Sequence, residues 1–276
     1  MNALLAIAGQ EIRDGFRNKW IVAMTLLMAG FALTLTLLGS APTGTVGANS
    51  LLVTVVSLSS LTIFLVPLIA LMLSYDAVIG EVERGTLLLL LSYPLARWHA
   101  IGGKFLGHLS VLTFATVVGY GSAGAVLLIQ GTETETGNWF AFGAVIGSSV
   151  LLGAAFLAIG YLISTVVKER ATAAGIAVSV WLLFVLIYDM ALLGLLVADG
   201  GNGIGPTLFN ALLLANPTDA YRLFNLAGFE GVATFTGTIG LTANAEFSPL
   251  VLLGVQFGWI VVPLGLATWL FQRKEI

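Results

Sequence analysis

The chain has 276 residues, 58% of them hydrophobic and only 9% charged, with a mean hydropathy of +1.01. A soluble domain could not hide that much apolar surface, so lipid is the solvent for most of it. The absence of cysteine excludes disulfides and thiolate metal relays, and the net charge of -3 becomes informative only through its distribution.

The first 19 residues are predicted to form an amphipathic helix in the inner headgroup layer. Leu5, Ile12 and Phe16 fall on one face, and Glu11, Arg13, Asp14 and Arg17 on the other. The following apolar run exceeds the roughly 7–15 residues of a cleaved signal's core. A membrane crossing needs about 20 apolar residues, and six runs qualify: 20–38, 53–74, 105–130, 139–167, 171–198 and 249–271. Runs this long mean helices rather than barrel strands, which would alternate over about 10 residues. The fold class is therefore all-α membrane protein, a single transmembrane domain over 1–276. Pro67 and Pro263 should bend the second and sixth spans. Ser248-Pro249 reads as a helix start, with serine as cap and proline in the first turn.

Basic residues choose the orientation. Arg13, Arg17 and Lys19 precede span 1; Arg84, Arg97 and Lys104 lie between spans 2 and 3; Lys168 and Arg170 separate spans 4 and 5; Arg273 and Lys274 close the chain. The opposite loops hold only Arg222, beside Glu133, Glu135, Asp199, Asp219, Glu230 and Glu246. The positive-inside rule then puts both termini in the cytoplasm. Residues 199–248 become the one sizeable outer region. It has Gly-rich turns (Gly200, Gly201, Gly203, Gly205), an apolar run Leu208–Leu214 suited to a short external helix, and the polar stretch Asn216 to Arg222.

Between spans 2 and 3, a cytoplasmic loop over 76–104 carries a dense charged cluster, Asp76, Glu81, Glu83 and Arg84, then Gly85-Thr86. A leucine run, Ser92-Tyr93-Pro94, Arg97 and Gly103-Lys104 follow. On charge alone this is an ordinary solvated loop or a short polar helix offered to a cytoplasmic partner. Gly103-Lys104 is no phosphate-binding loop: the position that must be glycine is Trp98, and Phe105 stands where Ser or Thr is required.

The order Glu83-Arg84-Gly85-Thr86, Ser92, Pro94, Arg97, Gly103-Lys104 resembles the inner loop of ABC-2 type permeases. The resemblance extends over most of the chain, including the external Asn216-Pro217-Thr218-Asp219-Ala220-Tyr221-Arg222. It implies a type V exporter-like permease fold with short external helices between helices 5 and 6, in a bacterial inner membrane. It implies a homodimer surrounded by lipid, driven by a separate cytoplasmic ATPase that holds the ATP and Mg, with no cofactor on this chain and no nucleic-acid partner. Asp76, Glu81, Glu83, Arg84 and Gly85 would dock on that ATPase. Within the family the chain is most similar to members linked to copper-site assembly of nitrous oxide reductase. That likeness implies a periplasmic partner met by Asn216, Pro217, Asp219, Tyr221 and Arg222. The competing reading is export of a lipid, glycan or drug.

No other constellation carries chemistry. Met24 and Met28 share a face of span 1 and are candidate thioether ligands for Cu(I), though such a pair more commonly fills packing. His99 and His108 lie on the inner side, too far apart in sequence to suggest a joint metal site. Asp189 is an acid near the outer end of span 5, either a functional intramembrane group or an outer-leaflet cap. Gly143/Gly147 and Gly254/Gly258 are GxxxG pairs, suited to packing spans within the subunit, the commoner case, or to joining two subunits. Ser122 lacks the glycine two residues before it that a hydrolase elbow needs.

Overall fold

The computed structural model describes residues 3–17, 19–38, 50–87, 92, 96–130, 136–199, 205–226 and 247–274. Residues 88–91 and 93–95 (with Tyr93 and Pro94), Glu133, Glu135, the glycines at 200, 201 and 203, Glu230 and Glu246 lie outside this description. All regular structure among the described residues is helical.

Helix α1 (Ala3–Arg17) meets α2 (Lys19–Leu38) at a bend of 69°. Next come α3 (Ser50–Ser74), the short α4 (Ile79–Arg84), and two long helices, α5 (Arg97–Ile129) and α6 (Thr136–Val166). At about 1.5 Å per residue both long helices exceed a ~30 Å hydrocarbon core. The fifth span is composite: α7 (Arg170–Leu182), a π-helical turn (Leu183–Ile187) and α8 (Tyr188–Asp199). Two short helices follow, α9 (Pro206–Leu214) and α10 (Pro217–Leu226), and α11 (Pro249–Arg273) ends the fold. Among the described residues five helices are long and apolar enough to cross a membrane, six if the bent α1–α2 pair counts as one span.

The core forms around α6, the most buried span, which packs chiefly on α3 and α11. Phe156, Leu157 and Tyr161 are closed off completely. Helices α1 and α2 pack on α5. Pro67 and Pro263 sit inside α3 and α11, and Pro249 occupies the first turn of α11. Ser248 stands at the cap position of α11, but its hydroxyl makes no capping bond. The proline, whose missing N–H is harmless there, defines that helix start.

Small residues do bring helices together, but at other positions than the GxxxG pairs. Side chains built on Gly143, Gly147, Gly254 or Gly258 would meet no described atom within 4 Å. These pairs face outward, so packing within the subunit does not use them. Close approach falls instead at Gly103 and Gly107, where α1 lies on α5, and at Gly160, where a Cβ would run into Ser74 of α3. One turn beyond Gly160, Ser164 Oγ accepts the backbone N–H groups of Val78 and Ile79 at 2.9 and 3.1 Å. Gly160 and Ser164 thus form a seat on α6 for the turn that leads from α3 into α4.

The seat gives a direct test. Gly160→Ala should cost about 2 kcal/mol through overpacking and lower Tm by roughly 4–8 °C, read by thermal unfolding in detergent. Ser74→Ala in the same chain should recover part of the loss, because the offending hydroxyl is then gone. Unchanged Tm in the single variant would show that the two helices are not held this tightly.

Candidate functional site: two polar clusters at opposite ends of the bundle

The end of the bundle that holds the basic residues is organised by Lys104. Its side chain is only 8% exposed and pairs with Glu11 of α1 and with Glu81 of α4, the latter at 2.6 Å. His108, one turn on along α5, reaches Glu11 through Nε2 at 3.3 Å and Tyr161 of α6 through Nδ1 at 2.8 Å. Burial pushes the Glu11 carboxyl up, but the hydrogen bond to His108 and the charge of Lys104 outweigh it and hold the group down at about 2. The expected Gly103-Lys104 pair thereby has a physical account: the glycine admits α1, and the lysine binds it.

The residues expected to meet an ATPase divide into two sets. Asp76 and Glu81 point back into the fold. Asp76 pairs with Arg170 at the start of α7 at 2.8 Å and with Arg84 at 3.7 Å. Glu81 is held by Lys104. Glu83 is exposed, and its carboxylate accepts the backbone N–H of Arg170 at 2.8 Å, an acid at a helix N-terminus. Arg84, with a side chain 60% exposed, and Gly85 form the free tip. Gly85 closes α4 at φ 71°, the left-handed conformation that favours glycine. The tip is therefore presented to solvent while its base is bonded to α5, α6 and α7. Arg97 spreads over the last carbonyls of α11, donating to those of Phe271, Gln272 and Lys274 at 2.7–3.2 Å. Lys274 donates to the Thr165 carbonyl at the end of α6. Both cations satisfy orphan carbonyls at helix C-termini. A cleft of about 460 Å³ opens beside this cluster, lined by Glu11, Asp14, Tyr75, Asp76, His108 and Arg170 among others.

The second cluster surrounds α10. Asn216 caps this helix, its Oδ1 accepting the Thr218 N–H at 3.0 Å, and Pro217 takes the first position. Asn216, Pro217, Asp219 and Tyr221, expected to face a partner, are all buried in the single chain. Arg222 is partly buried and joins Asp219 at 3.0 Å to Asp189 at 2.8 Å. Asp189 thus has a partner that neither sequence reading supplied: it is tied across the bundle rather than left as a cap. Tyr221 Oη lies 3.1 Å from Ser149 Oγ, which is 3.3 Å from Thr62 Oγ1, itself 2.7 Å from Tyr120 Oη. Ser148 donates to Asn225 Oδ1, and Gln256 donates to the Pro217 carbonyl. These partners were missed because hydroxyls on apolar helices look like packing. The local signal was their number, with Ser148 and Ser149 adjacent on α6 and meeting Asn225 and Tyr221 of α10.

Met28 is fully buried in the core cluster and touches the face of Gly119, while Met24 packs at the edge of the same cluster. No group of three or more His, Asp or Glu side chains able to hold a metal occurs among the described residues. His99 stacks on Trp98, away from His108.

The sequence matches the family described as ABC-2 family transporter protein over residues 5–276. It is 46% identical over 276 residues to a probable ABC transporter permease protein NosY of Stutzerimonas stutzeri, covering 99% of both chains. It is 45% identical over 277 residues to a protein of the same description from Pseudomonas aeruginosa, covering 100% of both. A multi-pass helical chain matched from end to end in this way belongs to the ABC-2 family of transporter permeases.

Proposed function

We propose that this chain is the membrane subunit of a NosDFY-type ABC transporter in a bacterial inner membrane, acting in copper-site assembly of nitrous oxide reductase. Two copies pair with a cytoplasmic NosF-like ATPase that holds ATP and Mg, and with a periplasmic NosD-like protein. The basic end, with both termini, faces the cytoplasm, as the positive-inside rule favours. The observation that carries this reading is the construction of α4. Its tip, Glu83-Arg84-Gly85, is exposed, while Asp76, Glu81 and the Val78 and Ile79 backbone are bonded to three other helices. A push on the tip is delivered to α5, α6 and α7 together rather than absorbed by a loose loop.

Conformational work on the periplasmic partner is favoured over metal conduction through one subunit. The middle of the bundle is filled by Thr62, Tyr120, Phe156 and Tyr221, all fully buried, so any path for a substrate runs between two copies.

Two variants test the motor connection in the reconstituted complex. Arg84→Glu reverses charge on a side chain 60% exposed whose ion pair with Asp76 is long, at 3.7 Å, and so worth little. It should leave Tm unchanged but reduce co-purification of the ATPase subunit several-fold; full recovery of that subunit would remove α4 as its docking site. Lys104→Met leaves Glu81 without its cation and Glu11 with His108 alone, at a cost of about 3 kcal/mol. It should retain basal ATP hydrolysis while maturation of the reductase falls at least tenfold, with Lys104→Arg restoring most of it. Loss of both activities in parallel, without rescue by arginine, would reduce Lys104 to a folding role.

A further inference from the structure

The second cluster contains an arrangement that the proposed transport role does not use. Arg222 is one cation between two carboxylates, Asp189 at 2.8 Å and Asp219 at 3.0 Å. The Asp219 side chain is 2% exposed, and both carboxylates meet the same guanidinium. Asn216 Nδ2 donates to Asp219 Oδ2 at 3.0 Å. Asp189 and Asp219 come from different elements: Asp189 begins α8 directly after the π-helical turn of the fifth span, and Asp219 lies in the first turn of α10. The π turn matters because α10 is fastened to it. The Phe184 carbonyl, inside that turn, accepts from Asn216 Nδ2 at 2.9 Å. Single π turns interrupt the regular ladder and are frequent where a helix does work.

Charge balance at this point is uneven. With both carboxyls ionised the trio carries one net negative charge in a mostly buried site; with one proton shared between them it is neutral. Among the described residues no other charged side chain compensates. The elements packed on α10 are α3, α6, α9, α11 and the π turn. Helices α3 and α9 and the π turn contain no titratable side chain. Tyr161 of α6 faces His108 at the basic end, and Arg273 ends α11 there. Tyr188 donates to the Leu212 carbonyl, and Tyr221, on α10 itself, faces Ser149.

We propose that Asp189 and Asp219 form a proton-binding carboxyl pair, and that gain or loss of this one proton seats or releases α10 against the fifth span. In the seated state protonated Asp219 donates its O–H to the Asp189 carboxylate, and Arg222 bonds both. When the proton leaves for solvent, two carboxylates confront each other across a single guanidinium, and separation of α10 from α8 relieves the repulsion. Burial, then the neighbouring Asp189 charge, push the Asp219 carboxyl up to about 7, with Arg222 opposing. The sign follows: a group raised in the seated state binds more protons there, so seating is strongest in acid and weakens as pH rises through about 7.

The experiment is hydrogen–deuterium exchange of the full chain in lipid nanodiscs, read on peptides covering residues 206–226 and corrected for intrinsic exchange. A site titrating at about 7 when seated predicts roughly tenfold less protection at about pH 8 than at about pH 6. Asp219→Asn keeps a donor toward Asp189 but cannot titrate, so its protection should be equal at the two pH values. The infrared difference spectrum should show a protonated carboxyl at the lower pH that is absent in this variant. Should Asp219→Asn fail to fold, Asp189→Asn dissolves the pair while leaving Asp219 with Arg222, and its pH response should shrink and move to lower pH, because the repulsion is gone while the burial remains. Equal protection of the unmodified chain at both pH values overturns the proposal, as does an unchanged pH response in either variant. Neither readout involves ATP or a partner, so the outcome is independent of the proposed transport role.

Discussion

A lysine ammonium almost closed off from water must be paired or it will not stay charged, and here the pairing dictates architecture. Lys104 takes one carboxylate from α1 and one from α4. Helix α4 has six residues, far below what is stable in isolation, and α1 with 15 is at the margin. The lysine therefore fixes two short elements to one long one. Flanking Gly103 and Gly107 remove the side chains that would keep α1 at a distance. Disturbing Lys104 would free α1 and α4 at once, which makes this residue more consequential than any single exposed charge on the tip.

The opposite end repeats the device with different residues. There Arg222 holds two acids, and the short helix is α10 rather than α4. Both short helices rest on the same span. Gly160 and Ser164 of α6 seat the turn before α4, and Ser148 and Ser149 of α6 meet Asn225 and Tyr221 of α10. Ser149 and Ser164 are separated by roughly 22 Å along the helix at 1.5 Å per residue. Since α6 is also the most buried span, it behaves as a strut between the two clusters rather than as a flexible link.

Much of this was legible in the sequence, and the remainder failed for definable reasons. The spans were visible because lipid demands long apolar runs, and the inner-loop motif because its residue types are rare in such a chain. Pro249 announced the start of α11. What the sequence withheld was direction. Gly143 and Gly254 look as suited to packing as Gly160 does, yet only contact across helices separates them. The stretch Asn216 to Tyr221 reads as an outer polar loop because its polarity is plain, while its burial depends on hydroxyls contributed by α3, α5 and α6 more than seventy residues away. Arg97 and Lys274 read as surface cations and instead satisfy carbonyls at the ends of α11 and α6.

The fifth span is where these constraints leave freedom. Only 11% of its most apolar window is buried in the single chain, against 67% for α6. It packs on the core at a few points, Ala173, Ala177, Val185 and Phe184, and is otherwise held by polar contacts: Arg170 to Asp76 at one end, Trp181 Nε1 to the Phe64 carbonyl, the Phe184 carbonyl to Asn216, and Asp189 to Arg222. A helix held by packing moves only if its neighbours repack, whereas one held by a few directional bonds can exchange them. The π turn lies between its two ends, where a change of helical register is least costly. Movement of α4 would reach this span through Asp76 and Glu83, and movement of α10 through Asp189. Among the described residues the fifth span is thus touched by both clusters while most of its surface stays outside the core, and its apolar outer face is available to lipid or to a second copy in the proposed dimer.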